Sequence, residues 1–187
     1  MTVYLALTDG HTIAHRRNQA LKACIYMFLI LTIFLVAGTH IVSFFGISIQ
    51  GIQIAGGLMI MKWAYNLLNP EDGGRKLSDD DEDAARLKPD ISFSPLALPL
   101  LSGPGSIAVV LGLAASLDDY LDYGIIIVAL AFVALASYVV LYISPWFTKF
   151  LGKTGMSALT RMMGFIALCI GVQFIINGIM SLVSSLL

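Results

Sequence analysis

Charged side chains are scarce in this 187-residue sequence. Asp, Glu, Lys and Arg make up 12% of it, about half of the roughly 25% that soluble domains carry. Hydrophobic residues make up 58%, and the mean hydropathy is +0.86. The formal net charge is −1 and the eleven Lys and Arg residues are scattered between apolar segments, so no basic patch for nucleic acid is present. The composition indicates an integral membrane protein in contact with a lipid bilayer.

Residues suited to catalysis or metal binding are also few. Cys24 and Cys169 lie in apolar segments without metal-ligand spacing and are interpreted as packing residues. Ser106 follows Gly-Pro-Gly as an intramembrane serine nucleophile would, but a nucleophile needs an adjacent base, and nothing places His40 beside it. The sequence has no His-Glu-x-x-His, no carboxylate pair inside an apolar segment and no phosphate loop. We therefore expect neither an enzyme nor a metal site or cofactor.

Five apolar segments are long enough to cross a bilayer, for which about 20 residues are needed. They are segment A (residues 23–45), B (47–68), C (91–116), D (123–145) and E (158–187). Segment D ends in Pro145-Trp146, which we interpret as a helix stop followed by an interfacial aromatic residue. The pattern predicts an all-α polytopic membrane helix bundle with five spans, forming a single integral membrane domain over residues 1–187.

The cations alternate between successive connections. The N-terminal stretch, the connection between B and C and the one between D and E carry Lys or Arg, whereas the other two connections carry none. The positive-inside rule then places residues 69–90 in the cytoplasm and the C-terminus on the periplasmic or extracellular side. The acidic run at residues 79–83 lacks the spaced ligands and glycine of a calcium loop, so residues 69–90 are interpreted as a solvated linker.

Segment C contains a run of helix-breaking residues. Residues 94–106 read Ser-Pro-Leu-Ala-Leu-Pro-Leu-Leu-Ser-Gly-Pro-Gly-Ser. Irregular backbone at membrane depth is tolerated only where protein buries it or a polar cavity solvates it, so the break indicates a binding site or pathway. The alternative is a proline kink whose backbone groups bond to neighbouring helices.

The local chemistry of the break favours an anionic group. Pro104 has no N–H and restricts the preceding residue, so a helix from Ser94 should end near Ser102 and a second should start near Gly105 or Ser106. Unpaired N–H groups of residues 105–107 and the helix dipole would then attract a substrate carboxylate. The hydroxyls of Ser102 and Ser106 could add donors or coordinate a cation.

Segment E carries two amides four residues apart, Gln173 and Asn177, which either line a pathway or form interhelical hydrogen bonds. Glycines recur every seven residues along it, which predicts a close-packing stripe at Gly164, Gly171 and Gly178. The predicted substrate-binding residues are Ser102, Gly103, Pro104, Gly105, Ser106, Gln173 and Asn177.

The segments suggest an inverted repeat. Segments A and B cross the membrane in the sense opposite to D and E, so C, D and E resemble one complete three-helix unit, and A and B the last two helices of another. We expect a partner of segment C to precede residue 1, and residues 3–8 are an apolar stretch too short to span. Translating the upstream DNA in frame would test this expectation.

Several motifs resemble the MarC family of bacterial inner-membrane proteins, also called the neutral amino acid transporter family. They are residues 46–49, 54–57, 95–105, 152–155 and 159–164. The resemblance covers nearly the whole chain and implies a multi-pass inner-membrane protein with six helices and both ends outside the cytoplasm. It also implies an Asn-Pro-x-Gly break in the first helix as the counterpart of Gly103-Pro104-Gly105, and this sequence has no such motif before Tyr4.

The resemblance implies a carrier of small neutral amino acids or similar polar metabolites. A channel or a non-transporting regulatory membrane protein remains an alternative. No carboxylate lies inside a predicted span, so a coupling ion would be sodium held by carbonyls and hydroxyls, and facilitated movement is equally open. A homo-oligomer is left open as well.

Overall fold

The computed structural model describes residue 4 and residues 13–69, 91–114, 117 and 119–184. Every regular element among these residues is helical, as the composition predicts. The elements are α1 (Ile13–Phe44), α2 (Ile49–Leu68), α3 (Ser92–Leu101), α4 (Pro104–Ala114) and α5 (Tyr120–Ser184). Residues 70–90 of the predicted linker (residues 69–90) and the last three residues lie outside the described part of the chain.

The turn between α1 and α2 follows from two residues. Gly46 has φ of +62°, a conformation that glycine adopts without steric cost. The N–H of Gly46 donates to the carbonyl of Ser43, and the N–H of Ile47 donates to that of Val42, which is the Schellman arrangement at a helix end. Ser48 then caps α2, because its side chain accepts a hydrogen bond of 3.1 Å from the Gly51 N–H.

Helix α5 joins predicted segments D and E through one residue. Gly152 has φ of 64° and ψ of −176° and divides α5 into a first arm, Tyr120–Gly152, and a second arm, Thr154–Ser184. This region of backbone space is essentially restricted to glycine. The sequence predicts D and E as separate spans with a charged connection between them, and the structure joins them by a single-residue bend.

The predicted helix stop at Pro145 is wrong. The first arm continues through Pro145 to Gly152. Proline cannot donate to the carbonyl four residues earlier, which belongs to Leu141. The hydroxyl of Ser144 donates to that carbonyl at 2.8 Å, and Ser144 is completely buried. The side chain therefore satisfies the group that proline leaves, so the helix does not have to end.

Three helices are long and apolar enough to cross a membrane among the described residues: Ala14–Phe44, Tyr120–Gly152 and Thr154–Ser184. They coincide with predicted segments A, D and E. Segment B coincides with the 20-residue helix α2, and segment C is the discontinuous pair α3 and α4. Most apolar side chains of the two α5 arms are exposed in the isolated chain, as expected of a polytopic bundle in lipid.

The second arm of α5 packs antiparallel along α2 through the predicted glycine stripe. Added Cβ atoms at Gly164, Gly171 and Gly178 would lie within 3.0 Å of atoms of α2. The close-packing interpretation is therefore confirmed. The first arm and α4 pack on α1 around a buried apolar cluster that includes Met27, Leu31, Leu35, Val110, Ala114 and Leu130. Helix α4 also contacts α2, so it lies between α1 and α2.

Candidate functional site

Helix α3 is irregular because of its prolines. Ser94 (φ −129°, ψ 120°) and Leu98 (φ −118°, ψ 126°) have extended backbones, and each directly precedes a proline, whose ring clashes with a helical residue before it. The remaining turns are wide. The N–H of Ser102 donates to the carbonyl of Ala97 at 2.8 Å, five residues back. The regular helix predicted from Ser94 is thus corrected to a wide-turned segment that begins at Ser92.

The break itself lies where the sequence predicts it. Helix α3 ends at Leu101, and α4 begins at Pro104, the first helical position, where the missing N–H costs nothing. The N–H of Ile107 donates to the carbonyl of Gly103 at 3.1 Å, so the prediction that this N–H is unpaired is wrong. The N–H groups of Gly105 and Ser106 lie in the first turn, which has no intrahelical acceptors for them.

A cavity of about 400 Å³ lies beside this break. Four predicted site residues line it together: Gly103, Pro104, Gly105 and Ser106. The opposite wall comes from α2. The other lining residues are Met59, Ile60, Lys62, Trp63, Asn66 and Val109. The break therefore borders a cavity of the size of small-molecule pockets, which are usually about 300–1,000 Å³.

Three polar or aromatic residues of this wall were missed as site residues from the sequence. In the sequence, Lys62 and Trp63 fit a snorkelling amine and an interfacial aromatic residue near the end of segment B, and Asn66 carries no signal of its own. Their spacing, together with Met59, is 59, 62, 63 and 66, which places them on one face of a helix. That spacing could have identified them as residues of one wall if the packing of α2 against α4 had been known.

The two serines of the break have different environments. The Ser106 hydroxyl donates to the carbonyl of Leu101 at 3.3 Å, so it bridges the end of α3 and the start of α4. Ser102 is completely buried, and its hydroxyl has no hydrogen-bond partner among the described residues. Ser102 is not among the residues that line the cavity. Only Ser106 therefore brings a hydroxyl to the cavity wall.

Close backbone packing fixes α4 against α2. A Cβ atom on Gly105 would lie 2.9 Å from Cγ1 of Ile60, and one on Gly56 would collide with Cβ of Ala108. Both glycines therefore allow an approach that a side chain would prevent. As a result, the N-terminal turn of α4 lies directly against the α2 face that carries the cavity wall.

The electrostatics of the cavity favour an anion. Among the described residues that line the cavity, Lys62 is the cation and none is acidic. The positive end of the α4 dipole adds to the Lys62 charge, because the helix begins at the cavity. Trp63, Met59, Ile60 and Val109 supply an apolar or aromatic surface. The arrangement can hold a small molecule that has a carboxylate and a compact apolar part.

The structure does not bring Gln173 and Asn177 to this cavity. Both side chains are exposed on the second arm of α5, and Nε2 of Gln173 donates to Oδ1 of Asn177 at 2.8 Å. The two amides therefore bond to each other within one helix. In the described part of the chain, no group of three His, Cys, Asp or Glu side chains is placed to hold a metal ion.

Comparison with known proteins gives a consistent result. The profile of the family described as "MarC family integral membrane protein" matches residues 1–183. The chain is 37% identical to the UPF0056 membrane protein YvbG of Bacillus subtilis over 95% of its own length and 84% of the relative's. It is 33% identical to the UPF0056 inner membrane protein MarC of Citrobacter koseri, over 99% of its own length and 88% of the relative's.

A UPF0056 membrane protein of Aquifex aeolicus is 34% identical, over 96% of the chain and 84% of the relative. No solved structure gives a significant match. The similarity therefore extends over nearly the whole chain and includes both walls of the cavity.

Proposed function

Because the chain belongs to the MarC family of integral membrane proteins, we propose that it is a multi-pass inner-membrane carrier of small neutral amino acids or similar polar metabolites. Its substrate site is the cavity between α2 and the first turn of α4. The observation that carries this proposal is the helix break that opens onto that cavity. A broken helix at membrane depth is costly unless it serves a polar cavity, and carriers commonly bind substrate at such breaks.

The proposed binding mode uses both ends of a zwitterion. The substrate carboxylate accepts from the N–H groups of Gly105 and Ser106 and pairs with Lys62, since helix N-termini and ammonium groups both favour anions. The substrate ammonium lies against Trp63, whose ring attracts cations, and the Asn66 amide supplies an acceptor. A cavity of about 400 Å³ suits a small substrate.

The proposed coupling excludes a carboxylate proton relay. The helices that line the cavity, α2 and α4, contain no Asp or Glu, and neither does α3. A coupling cation would therefore have to be held by carbonyl and hydroxyl oxygens, which suits sodium. The alternative is transport without a coupling ion, and the uptake experiment distinguishes the two by comparing uptake with and without ion gradients.

The test is uptake into proteoliposomes that contain the purified protein. Labelled glycine, alanine, serine, threonine and leucine are offered with no ion gradient, with a sodium gradient and with a pH gradient. We expect saturable uptake of at least one of them. A protein that takes up none of the panel under any gradient would contradict the carrier proposal and favour the non-transporting alternative.

The site assignment is tested separately with Lys62→Gln. Loss of one charged hydrogen bond to the substrate costs about 1.5–3 kcal/mol, so we expect the apparent KM to rise about 10-fold or more. Lys149→Gln is the matched control, because Lys149 is exposed and does not line the cavity. Normal uptake by Lys62→Gln would contradict the assignment of the substrate site to this cavity but not the carrier proposal itself.

A further inference from the structure

A second cavity lies between the N-terminal end of α1 and the first arm of α5. Its volume is about 620 Å³. The lining residues are Tyr4, Arg16, Arg17, Leu141, Tyr142, Ile143, Pro145 and Trp146. Two arginines and three aromatic residues thus share the wall with aliphatic side chains, and none of the described residues that line it is acidic. This cavity has no part in the proposed transport site.

The side chain of Arg17 and the backbone of Arg16 are each held by a contact with a tyrosine. The guanidinium carbon of Arg17 lies 4.2 Å from the ring centroid of Tyr142, a cation–π contact that covers the flat face and leaves the N–H edge available for hydrogen bonds. The Tyr4 hydroxyl donates to the carbonyl of Arg16 at 2.8 Å. Burial raises the pKa of the Tyr4 phenol, so the hydroxyl stays protonated and keeps this bond.

The charge pattern of α1 indicates that this cavity lies at the depth of lipid headgroups. The uncharged run of α1 begins at residue 23, and Arg17 precedes it by about 9 Å at a rise of 1.5 Å per residue. The span Ala14–Phe44 has 31 residues and measures about 46 Å, more than the roughly 30 Å of hydrocarbon. Trp146 is 65% exposed and Tyr142 is 45% exposed, as is usual for aromatic residues at a membrane interface.

We propose that this cavity binds the headgroup phosphate of an anionic phospholipid. Guanidinium groups bind phosphate oxygens in a bidentate manner, and Arg16 and Arg17 supply two of them beside an aromatic wall. The acyl chains run along the exposed apolar flank of α5 next to Ile143. Basic pockets between membrane helices at the headgroup level commonly bind anionic lipids in this way.

The test uses Trp146 as a reporter. The chain has two tryptophans, so Trp63→Phe leaves Trp146 as the single tryptophan. The protein is reconstituted in vesicles in which brominated phosphatidylglycerol or brominated phosphatidylcholine replaces part of the lipid, and quenching gives the relative affinity at Trp146. We expect a preference for phosphatidylglycerol of about fivefold or more, since each arginine near the surface contributes about 1 kcal/mol.

Variants decide whether the cavity causes the preference. Arg16→Gln with Arg17→Gln should remove it, and Lys149→Gln, which removes a cation outside the cavity, should leave it unchanged. Arg17→Lys keeps the charge and is therefore the control for a folding defect. It should lower the preference, because lysine lacks the planar guanidinium that binds phosphate in a bidentate manner. An unchanged preference in the arginine variants, or an equal loss in Lys149→Gln, would overturn the proposal.

A competition arm separates a lipid from free phosphate. Inorganic phosphate at millimolar concentration should not relieve quenching by brominated phosphatidylglycerol, because it lacks the acyl chains that anchor the lipid. Relief of quenching would assign the cavity to a soluble phosphate compound and overturn the lipid assignment. No preference in the Trp63→Phe protein itself would refute the site altogether.

Discussion

A Cβ atom on Gly57 would lie 2.6 Å from the carbonyl oxygen of Gly171, and one on Gly171 would lie 2.9 Å from the carbonyl oxygen of Gly57. The backbones of α2 and the second arm of α5 therefore touch at this point. In lipid, helices associate through such van der Waals contacts, since burial of apolar surface gives no advantage there. This contact supports α2 from behind, on the side away from the cavity wall.

Gly57→Ala should destabilise the protein. The new methyl group meets backbone, which cannot move aside as a side chain tip can, and overpacking of this kind costs about 1–3 kcal/mol. Thermal unfolding in detergent, followed by monodispersity on size exclusion, measures the effect. Gly124→Ala is the control because nothing lies within 4 Å of its added Cβ, and helix propensity favours it by up to about 1 kcal/mol. Equal melting temperatures for the two variants would contradict the described interface.

Gly105→Leu should abolish uptake while membrane insertion is retained, because the side chain obstructs the first turn of α4. Since Ile60 is only 2.9 Å from an added Cβ, the double variant Gly105→Leu with Ile60→Ala separates obstruction from crowding. We expect uptake to remain absent in the double variant. Restored uptake would show that crowding alone caused the loss. Gly124→Leu, in open space, should transport normally.

Ser144→Ala should be costly only while residue 145 is proline. The substitution leaves the carbonyl of Leu141 without its donor, at a cost of about 1–3 kcal/mol for a buried group. Pro145→Ala restores an N–H that can take over the bond. A double-mutant cycle by thermal unfolding should therefore show a large loss of stability when Ser144→Ala is made in the original protein. The same substitution made in the Pro145→Ala protein should cause little loss of stability. Additive losses would argue against the exchange of donors.

The orientation predicted from the cations can be tested by labelling. In a protein without Cys24 and Cys169, Ser78→Cys should resist an impermeant thiol reagent in intact cells, and Asp119→Cys should react. Permeabilised cells are the control, because Ser78→Cys should label there. The reverse pattern would place residues 69–90 outside.

The position of the helix break was predictable because it depends on local chemistry. Pro104 restricts its own backbone and that of the residue before it whatever surrounds them, and α4 begins at Pro104, one residue before the expected start near Gly105. The wide turns of α3 were not predicted, since the backbone groups freed by Pro95 and Pro99 find new partners that depend on the final geometry. The same holds for Pro145, where one serine hydroxyl decides whether the helix continues.

The cavity wall on α2 could not be identified from the sequence alone. Lys62 and Trp63 fit an interface position equally well, and only the packing of α2 against α4 assigns them to a cavity. The position of Gln173 away from α2 could have been predicted from the sequence. Gln173 follows Gly171 by two residues, about 200° around the helix, so a glycine stripe that faces α2 turns Gln173 away from α2.

The bend at Gly152 joins the two arms of α5 without a flexible loop between them. A loop of several residues can absorb a change in the angle between two helices over many torsions, but here one pair of torsion angles sets the direction of the whole second arm. That pair lies where any side chain would be strained. Residue 152 thus sets the angle between the first arm, which packs on α1, and the second arm, which packs on α2. It does so although no atom lies within 4 Å of an added Cβ at this position.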